Sequence, residues 1–429
     1  MMYRGSELMN YRHLFDGIET SVKIKDGSMV VPINFDNGAT TPPFKYVNRQ
    51  LKESISLYGP IGRGAGQKGD YCTEKYEESR KKILEFFNLS HRNEYTVIYV
   101  KNTTEGLNLL SNVLINDKKE KVLTTRMEHH ANDLPWRYNS DVEYVEVDSN
   151  GRLDLKQLEE KLSQNTFSYV SITGASNVTG YINPINSIAK IVHRYGAKLI
   201  VDGAQLVPHR KINMTGNHPD ESIDFLVFSA HKMYAPYGVG VIVGLSKELN
   251  TLPFLKGGGA VKTVSDSDVI WKPAPERHEA GTQNFLGIVA LTASIDMIKK
   301  IGYNHIVSHE NYLRNYLIRE LRKIPNVIIY GDYNNIDDRL GVISFNIKDK
   351  DYDYVSHKLA DDFGIATRYG KFCAHPYVNR LLNVDDDTVI EKSLSNEKSA
   401  GMIRLSLGLY NTLCEAKCVV NAISDIANN

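Results

Sequence analysis

Short apolar runs alternate with amphipathic stretches between about residues 95 and 245, and no other feature of the chain constrains its fold as strongly. Thr103 or Thr104 is the expected N-cap of the first amphipathic stretch. The alternation predicts an α/β domain with a mostly parallel, seven-stranded sheet. The predicted strands are residues 95–100, 122–125, 142–147, 168–173, 199–202, 225–229 and 240–243. The predicted helices among them are residues 103–114, 155–162 and 185–195.

The rest of the chain has a different pattern on each side of this region. Residues 252–283 contain three consecutive glycines and several prolines, which predict loops. After them come helical patterns at 285–300, 303–323, 354–363 and 412–427, and strand patterns at 327–330, 342–347 and 403–407. We therefore predict an N-terminal extension (1–33), a large α/β domain (34–284) and a smaller α+β C-terminal domain (285–429).

The charge balance excludes some classes of function. Lys and Arg number 51, and Asp and Glu also number 51, so the chain carries no net charge. There is no basic excess of the kind that binds nucleic acid or an anionic membrane surface. No apolar run is long enough to span a bilayer, and the N-terminus lacks the apolar core of a secretory signal. We therefore expect a cytoplasmic protein.

The four cysteines are too few for a disulfide scaffold in a chain of 429 residues. Cys414 and Cys418 lie one helical turn apart, but no nearby His or further Cys completes a metal site. We interpret these two as buried or half-buried apolar side chains, and we expect no metal.

Two charged residues lie at the ends of neighbouring predicted strands. Asp202 ends the run at 199–202, and Lys232 follows the run at 225–229. Ligands of α/β sheets bind beyond the carboxyl ends of the strands. A lysine that forms a Schiff base and a carboxylate that pairs with a pyridinium nitrogen suit pyridoxal phosphate. A salt bridge at the sheet edge is the alternative.

Other polar clusters follow the same strands. Thr103 and Thr104 open a helix and suit a phosphate, although ordinary N-capping is the better explanation of this motif taken alone. His129 suits stacking on an aromatic cofactor, metal binding or a polar niche. Asn177 is either a ligand or a turn residue, which the following Gly180 favours.

Three residues outside these strand ends are further candidates. Arg404 lies in an otherwise apolar strand and suits either a substrate carboxylate or an inter-domain salt bridge. Cys373 lies in a loop beside Lys371, where positive charge favours a reactive thiolate, although an inert thiol is the alternative. Arg63 lies in a glycine-rich loop at 62–66 that does not follow a strand, and it is available to an anion.

Eight stretches, in a fixed order, resemble the class V aminotransferase family of pyridoxal-phosphate enzymes. Within it the chain is most similar to the group II, Suf-type cysteine desulfurases and selenocysteine lyases. The stretches are 35–41 (Phe-Asp-Asn-Gly-Ala-Thr-Thr), 103–106 (Thr-Thr-Glu-Gly), 128–132 (Glu-His-His-Ala-Asn), 176–180 (Ser-Asn-Val-Thr-Gly), 201–205 (Val-Asp-Gly-Ala-Gln), 229–232 (Ser-Ala-His-Lys), 279–282 (Glu-Ala-Gly-Thr) and 368–374 (Arg-Tyr-Gly-Lys-Phe-Cys-Ala). The resemblance implies pyridoxal-phosphate fold type I, with a large domain and a smaller α+β domain.

The resemblance also implies a role for each matching residue. Lys232 would hold the cofactor as a Schiff base, Asp202 would keep the pyridine nitrogen protonated, and His129 would stack on the ring. Gln205 would bind the phenolic oxygen of the cofactor. The other implied cofactor contacts are Thr103, Thr104, Asn177, Ser229, His231 and, from the partner subunit of a homodimer, Thr282. The implied substrate contacts are Asn177, Arg404, Arg63 and Arg368.

By this resemblance the enzyme would convert L-cysteine to L-alanine. Lys232 would remove the Cα proton, and Cys373 would attack the substrate sulfur and become a persulfide. The persulfide sulfur would pass to an acceptor protein, as in iron–sulfur cluster assembly.

Two positions depart from the family pattern. Lys371 and Phe372 stand where the family usually has two histidines, and Gly62 stands where it commonly has another. His375 is a candidate to take over part of the missing role.

Two alternatives therefore stay open. One is a class V lyase, epimerase or transaminase that acts on another amino acid, with Cys373 incidental. The other is a non-catalytic scaffold that has kept the fold.

Overall fold

The computed structural model describes residues 10–62, 65–333 and 337–428. Its first elements are short strands and two helices that precede the central sheet. They are the strands β1 (Val22–Lys23), β2 (Met29–Val30) and β3 (Ile33–Asn34), and the helices α1 (Lys45–Ile55) and α2 (Gln67–Phe86). β1 and β2 form an antiparallel hairpin.

The central sheet has seven strands, and each of the seven predicted runs forms one of them. The predicted and observed ends differ by at most two residues. The strands are β4 (Tyr95–Val100), β5 (Lys121–Thr125), β6 (Asp141–Val145), β7 (Tyr169–Thr173), β8 (Lys198–Asp202), β9 (Phe225–Ser229) and β10 (Gly240–Leu245). The helices along this part of the chain are α3 (Thr103–Leu114), α4 (Leu134–Asn139), α5 (Leu155–Gln164) and α6 (Ile185–Arg194).

The strand order is β4-β10-β9-β8-β7-β5-β6. The five strands β9, β8, β7, β5 and β6, in that spatial order, pair with one another in parallel. β10 is antiparallel to both of its neighbours, β4 and β9. Only residues 230–239 connect β9 to β10, and a parallel pairing needs a crossover of a dozen or more residues. The sheet is therefore mostly parallel with an antiparallel pair at one side.

Both faces of the sheet are buried. In β8, Leu199 and Val201 belong to one hydrophobic cluster, while Ile200 between them belongs to the cluster on the other side. Alternate side chains of a strand point to opposite faces, so a strand covered on both sides has a continuous apolar sequence. This burial explains why the central strands, such as β8 and β9, have nearly uninterrupted apolar runs.

A second sheet forms in the C-terminal part of the chain. Its four antiparallel strands have the order β13-β14-β17-β16, and β15 pairs instead with β3 in parallel. A short hairpin, β11 and β12, lies within the region that was expected to be loop. The elements are β11 (Val261–Val264), β12 (Val269–Trp271), α7 (Phe285–Ile301), α8 (Tyr303–Leu321), β13 (Val327–Ile329), β14 (Val342–Ile347), α9 (Tyr352–Phe363), β15 (Ile365–Ala366), β16 (Arg368–Gly370), α10 (His375–Leu381), α11 (Asp386–Leu394), β17 (Met402–Ser406) and α12 (Leu413–Asn428).

The hydrophobic clusters extend across both predicted domain limits, at residues 34 and 285. Leu291 and Ile295 of α7 lie in the cluster of the large sheet, and Phe15 of the predicted N-terminal extension lies there too. Phe35 lies in the cluster of the smaller sheet, with Phe345. The three-part division stays a prediction, and the packing favours a boundary after α7 rather than before it.

The structure contradicts two sequence expectations. The N-cap of α3 is Asn102 rather than Thr103 or Thr104, because the Asn102 side chain accepts a hydrogen bond from the Glu105 backbone N–H at 2.9 Å. Cys414 and Cys418 are exposed rather than buried, since their face of α12 points away from the core. In the described part of the chain, no helix is long and apolar enough to cross a membrane.

Gly240 allows β10 to approach α3, and it provides a stability test. A Cβ at residue 240 would lie 2.6 Å from backbone atoms of Asn102, which cannot move without displacing the helix N-terminus. We expect Gly240→Ala to destabilise the protein by about 1–3 kcal/mol, as overpacking of a core typically does. The measurement is the thermal or urea unfolding midpoint. Gly258→Ala is the matched control, because a Cβ there meets nothing within 4 Å. Equal midpoints for the two variants would contradict the tight contact.

Candidate active site

A cavity of about 510 Å³ lies beyond the carboxyl ends of β5, β7, β8 and β9. Twelve of the fourteen predicted site residues line it. They are Thr103, Thr104, His129, Asn177, Asp202, Gln205, Ser229, His231, Lys232, Arg368, Cys373 and Arg404. Thr282 is exposed and is not among the lining residues, and Arg63 lies outside the described residues. One cavity therefore unites residues from both halves of the chain.

Asp202 ends β8, and Lys232 lies just after the end of the adjacent parallel strand β9, so both line the same edge of the sheet. Asp202 is 3% exposed, and one of its carboxylate oxygens accepts a hydrogen bond from the Ala204 N–H at 2.9 Å. Burial lowers the pKa of Lys232 to about 8, while attraction to Asp202 opposes the change. Burial also raises the pKa of Asp202. Removal from water thus outweighs the mutual attraction of the two groups.

The N-terminus of α3 forms one corner of the cavity. The Ser229 hydroxyl oxygen accepts from the Thr103 N–H at 2.8 Å and lies 2.6 Å from the Thr103 hydroxyl. Thr104 is exposed beside them. Burial, and then the charge of Lys232, lower the pKa of His231 to about 4, so its imidazole is neutral at pH 7. Hydroxyls and N–H groups at a helix N-terminus suit an anion.

His129 is held as a neutral ring. Its Nδ1 accepts a hydrogen bond from the Ala131 N–H at 3.1 Å, which assigns the ring proton to Nε2. Burial and, to a smaller extent, Lys232 lower its pKa to about 3. A neutral imidazole suits stacking on an aromatic ligand beside a lysine better than a cation does.

Glu128 lies behind this site, and the sequence patterns had assigned it no role. Its side chain is 2% exposed and accepts hydrogen bonds from the Thr125 hydroxyl at 2.6 Å, the Thr173 N–H at 3.0 Å and the Asn132 amide at 2.6 Å. Burial raises its pKa to about 8. Because Thr173 ends β7, Glu128 ties the segment that carries His129 to the centre of the sheet.

Arg404 lies on β17 and is 3% exposed. Its Nη1 donates to the carbonyl of Asn177 at 3.0 Å, and its Nη2 donates to Asp36 at 3.0 Å. Its Nε is buried and has no hydrogen-bond partner in the described structure. Arg404 therefore has a carboxylate partner and still has a donor to offer a ligand.

The family resemblance implied ligand contacts for both Gln205 and Asn177, and both line the cavity. In the structure the Gln205 amide donates to the carbonyl of Gly38 at 2.8 Å. The Asn177 amide donates to the carbonyl of Phe372 at 2.8 Å. Their predicted ligand contacts stay predictions.

Cys373 is exposed on a tight turn at the mouth of the cavity. The Ala374 N–H donates to the carbonyl of Lys371 at 2.9 Å, and the two residues between them, Phe372 and Cys373, have φ angles of 52° and 54°. This left-handed conformation is strained for residues other than glycine, and it persists only where surrounding contacts enforce it. The His130 N–H, which donates to the carbonyl of Cys373 at 2.6 Å, is one such contact.

His375 lies beside His130 rather than in free solvent. The ring centroids are 4.5 Å apart in an edge-on arrangement, and the backbone N–H of His375 donates to Nε2 of the His130 ring at 3.2 Å. His375 lines the cavity, and desolvation lowers its pKa to about 4. His375 lies in the cavity, as its predicted role in place of the missing histidines requires. In the described structure no contact between His375 and the Cys373 thiol supports that role.

Within the described residues, no cluster of three or more His, Cys, Asp or Glu side chains is arranged to hold a metal ion. The reactive groups that line the cavity include one lysine, two arginines, a thiol and a carboxylate.

Comparison with known proteins shows the family of this chain. The model of the aminotransferase class-V family matches residues 33–419. The chain belongs to the aminotransferase class-V family. It is 34% identical over 379 residues to proteins named cysteine desulfurase from Shigella sonnei (strain Ss046) and from Escherichia coli O7:K1 (strain IAI39 / ExPEC). The match covers 86% of this chain and 86% of each relative.

Solved structures of class V enzymes have the same architecture. The apo structure of a cysteine desulfurase from Thermococcus onnurineus NA1 has a TM-score of 0.82 and 31% identity, over 92% of this chain and 95% of that chain. The cysteine desulfurase CsdA (S-sulfonic acid) from Escherichia coli has a TM-score of 0.81 and 25% identity, over 97% of both chains. The predicted family and the predicted α/β fold are thus confirmed.

The lowered pKa of Lys232 gives a test that does not depend on turnover. Only a neutral amine reacts with formaldehyde, so the reductive methylation rate of Lys232 should reach half its maximum near pH 8. Asp202→Asn should shift that midpoint to lower pH, because Asp202 raises the pKa of Lys232. Peptide mass spectrometry of the cofactor-free protein gives the rates, with Lys156, whose side chain is 87% exposed, as the internal reference. A midpoint that rises in the variant would contradict the charge arrangement.

Proposed function

We propose that this class V enzyme is a pyridoxal-phosphate-dependent cysteine desulfurase. It converts L-cysteine to L-alanine and leaves the sulfur as a persulfide on Cys373. The observation that carries the proposal is the position of Cys373, exposed in the same cavity as Lys232, Asp202 and Arg404. The relatives named cysteine desulfurase, which the chain matches over most of its length, support the same activity.

The residues of the cavity fit pyridoxal phosphate. Asp202 is buried at the end of β8 and has one oxygen satisfied by a backbone N–H, which leaves the other for a pyridinium nitrogen. Thr104, His231 and the N-terminus of α3 suit its phosphate, and His129 suits its ring. Lys232 would hold its aldehyde. When bound, this cofactor supplies an electron sink for the bond-breaking at the substrate carbon.

Lys232 is the group that moves the Cα proton. Its pKa of about 8 leaves part of the amine neutral at physiological pH, as a general base requires. Lys232 also lies next to Asp202, so the proton is accepted close to a compensating negative charge. His129 and His231, with lowered pKa values, do not compete for that proton near neutral pH.

Arg404 binds the substrate carboxylate. A guanidinium offers five donors in a plane, and two of them already hold it against Asn177 and Asp36. The buried Nε without a partner is a donor that a carboxylate satisfies. Fixing the carboxylate at this wall directs the substrate side chain towards the turn that carries Cys373.

Cys373 takes the sulfur. The thiolate attacks the substrate sulfur, a sulfur–sulfur bond forms, and the carbon–sulfur bond of the substrate breaks. The electron pair of that bond stays with the carbon skeleton, which gains protons and leaves as alanine. Lys232 and Arg404 are the cavity cations that interact electrostatically with Cys373.

The site lacks the histidine pair that the family usually has before this cysteine. Lys371 is buried, and burial lowers its pKa, so it is a weaker cation than an exposed lysine. The Phe372 ring lies 5.2 Å from the guanidinium carbon of Arg404 and covers it. This apolar cover favours the second candidate function, a class V lyase, epimerase or transaminase for another amino acid.

The partners of the enzyme belong to the same proposal. A homodimer would bring Thr282 of the partner subunit to the cofactor phosphate, and Thr282 is exposed as that role requires. Two apolar side chains of the segment 252–283, which also contains Thr282, are exposed and suit contact with a second copy: Leu252 at 63% and Ile270 at 52%. The persulfide sulfur would pass to an acceptor protein in iron–sulfur cluster assembly in the cytoplasm.

Cys373→Ser separates the proposed function from the alternative. We expect the variant to retain the visible absorbance of bound cofactor and to release no alanine from L-cysteine, because a hydroxyl cannot hold the sulfur. Alanine is measured by amino-acid analysis with and without a thiol acceptor. The double variant Cys414→Ser/Cys418→Ser is the control, since both thiols are exposed away from the cavity. Full turnover in Cys373→Ser would refute the role of this thiol, and turnover of another amino acid by the unmodified enzyme would favour the alternative.

A further inference from the structure

Asp36 joins two arginines at the wall of the cavity. One oxygen of its carboxylate lies 3.0 Å from Nη2 of Arg404, and the other lies 3.0 Å from Nη2 of Arg368. Asp36 is next to β17, where it forms a bridge with Ser406. The proposed mechanism gives Arg404 a substrate but gives Asp36 no role.

The two arginines need such a bridge because of their register. Arg368 of β16 lies directly opposite Arg404 of β17 in an antiparallel pair. Like charges in directly opposed positions destabilise a sheet. Arg404 is also 3% exposed, and a buried cation without a counter-charge is strongly unfavourable. Asp36 supplies the counter-charge to both side chains.

The bridge sets the charge that a ligand meets. Two guanidinium groups and one carboxylate leave one net positive charge at this wall. Elsewhere in the cavity, the charge of Lys232 is opposed by the carboxylate of Asp202, which raises the pKa of the lysine. The substrate end of the cavity therefore matches a ligand with a single negative charge.

We propose that Asp36 is a specificity-determining positioning residue that restricts the cavity to amino acids with one carboxylate and an uncharged side chain. It does so by neutralising Arg368 and by holding Arg404 in place. The inference rests on the proposed function for its amino-acid site, and it narrows the substrate class of that site.

Removal of the carboxylate changes the preference in a defined direction. In Asp36→Asn, Arg368 loses its counter-charge, and its side chain, 49% exposed, is free to turn towards the cavity. The wall then carries two positive charges, so an amino acid with a second carboxylate gains an attraction. For partly exposed charges a gain of about tenfold in relative affinity is expected.

The test compares ligands that do not carry a transferable sulfur. The dissociation constants of L-alanine, L-aspartate and ethylamine are measured by calorimetry on the cofactor-loaded enzyme. In Asp36→Asn the preference for L-aspartate over L-alanine should increase about tenfold, and the affinity for ethylamine, which lacks a carboxylate, should not change. An unchanged ratio of the two amino acids in the loaded variant overturns the proposal.

Three further variants keep the result interpretable. Arg368→Gln should shift the preference away from L-aspartate, which tests the charge count even if Asp36→Asn fails to fold. The double variant Asp36→Asn/Arg368→Gln should restore the ratio of the unmodified enzyme. Asp361→Asn, which removes a surface carboxylate 3.0 Å from Lys25, should leave the ratio unaltered. The opposite sign in Arg368→Gln, or no restoration in the double variant, also overturns the proposal.

These ratios do not depend on desulfurase turnover. If the unmodified enzyme releases no alanine from L-cysteine while the ratios shift as expected, the proposed function fails and the role of Asp36 stands. If alanine is released and the ratios do not shift, the reverse holds.

Discussion

Arg404 and Lys232 are two positively charged side chains that line the same cavity. Both are buried away from bulk water, and burial lowers the pKa of each. A buried charge is tolerated only when it is paired and hydrogen-bonded. Asp202, at the end of the adjacent strand β8, supplies a counter-charge to Lys232. Asp36 and the carbonyl of Asn177 supply the pairing and the hydrogen bonds for Arg404. The two buried cations therefore require Asp202 and Asp36 as counter-charges. This requirement determines which strand ends and which chain segments come together at the cavity.

The position of Cys373 depends on the same arginine. Arg404 donates to the carbonyl of Asn177, and the amide of Asn177 donates to the carbonyl of Phe372. The Phe372 ring in turn covers the guanidinium. These contacts hold Phe372 and Cys373 in a backbone conformation that neither side chain prefers. The position of the Cys373 thiol thus depends on a series of contacts that starts at Arg404, the residue proposed to bind the substrate carboxylate.

Properties that depend on neighbouring residues in the chain were predictable from the sequence. A strand buried on both faces has an apolar run with a visible end, so the strands and the polar residues that follow them were placed correctly. α1 and α2 were missed. α2 is rich in charged residues and has little apolar periodicity. α1 is amphipathic, so its pattern was present in the sequence but was not assigned to a helix.

Contacts between distant segments left no local signal. Asp36 and Arg404 are 368 residues apart, and His130 and His375 are 245 residues apart. The left-handed φ angles at Phe372 and Cys373 are likewise imposed by tertiary contacts, since neither residue type favours them. The motif around Asp36 marked the residue without revealing its two partners. The roles of the matching residues therefore came from resemblance, and their charge arrangement came from the fold.

The protonation states of the cavity narrow its chemistry. Lowered pKa values of about 3 for His129 and about 4 for His231 and His375 make these three rings neutral and weakly basic at pH 7. Lys232, with a pKa of about 8, is closer to the range in which a group both accepts and returns a proton. Among these four groups, Lys232 therefore suits proton transfer near neutral pH best, which supports its proposed role. The absence of the histidine pair that the family usually has before the cysteine therefore affects the proposed activation of the Cys373 thiol and the choice of substrate side chain. It does not remove the proposed base, Lys232.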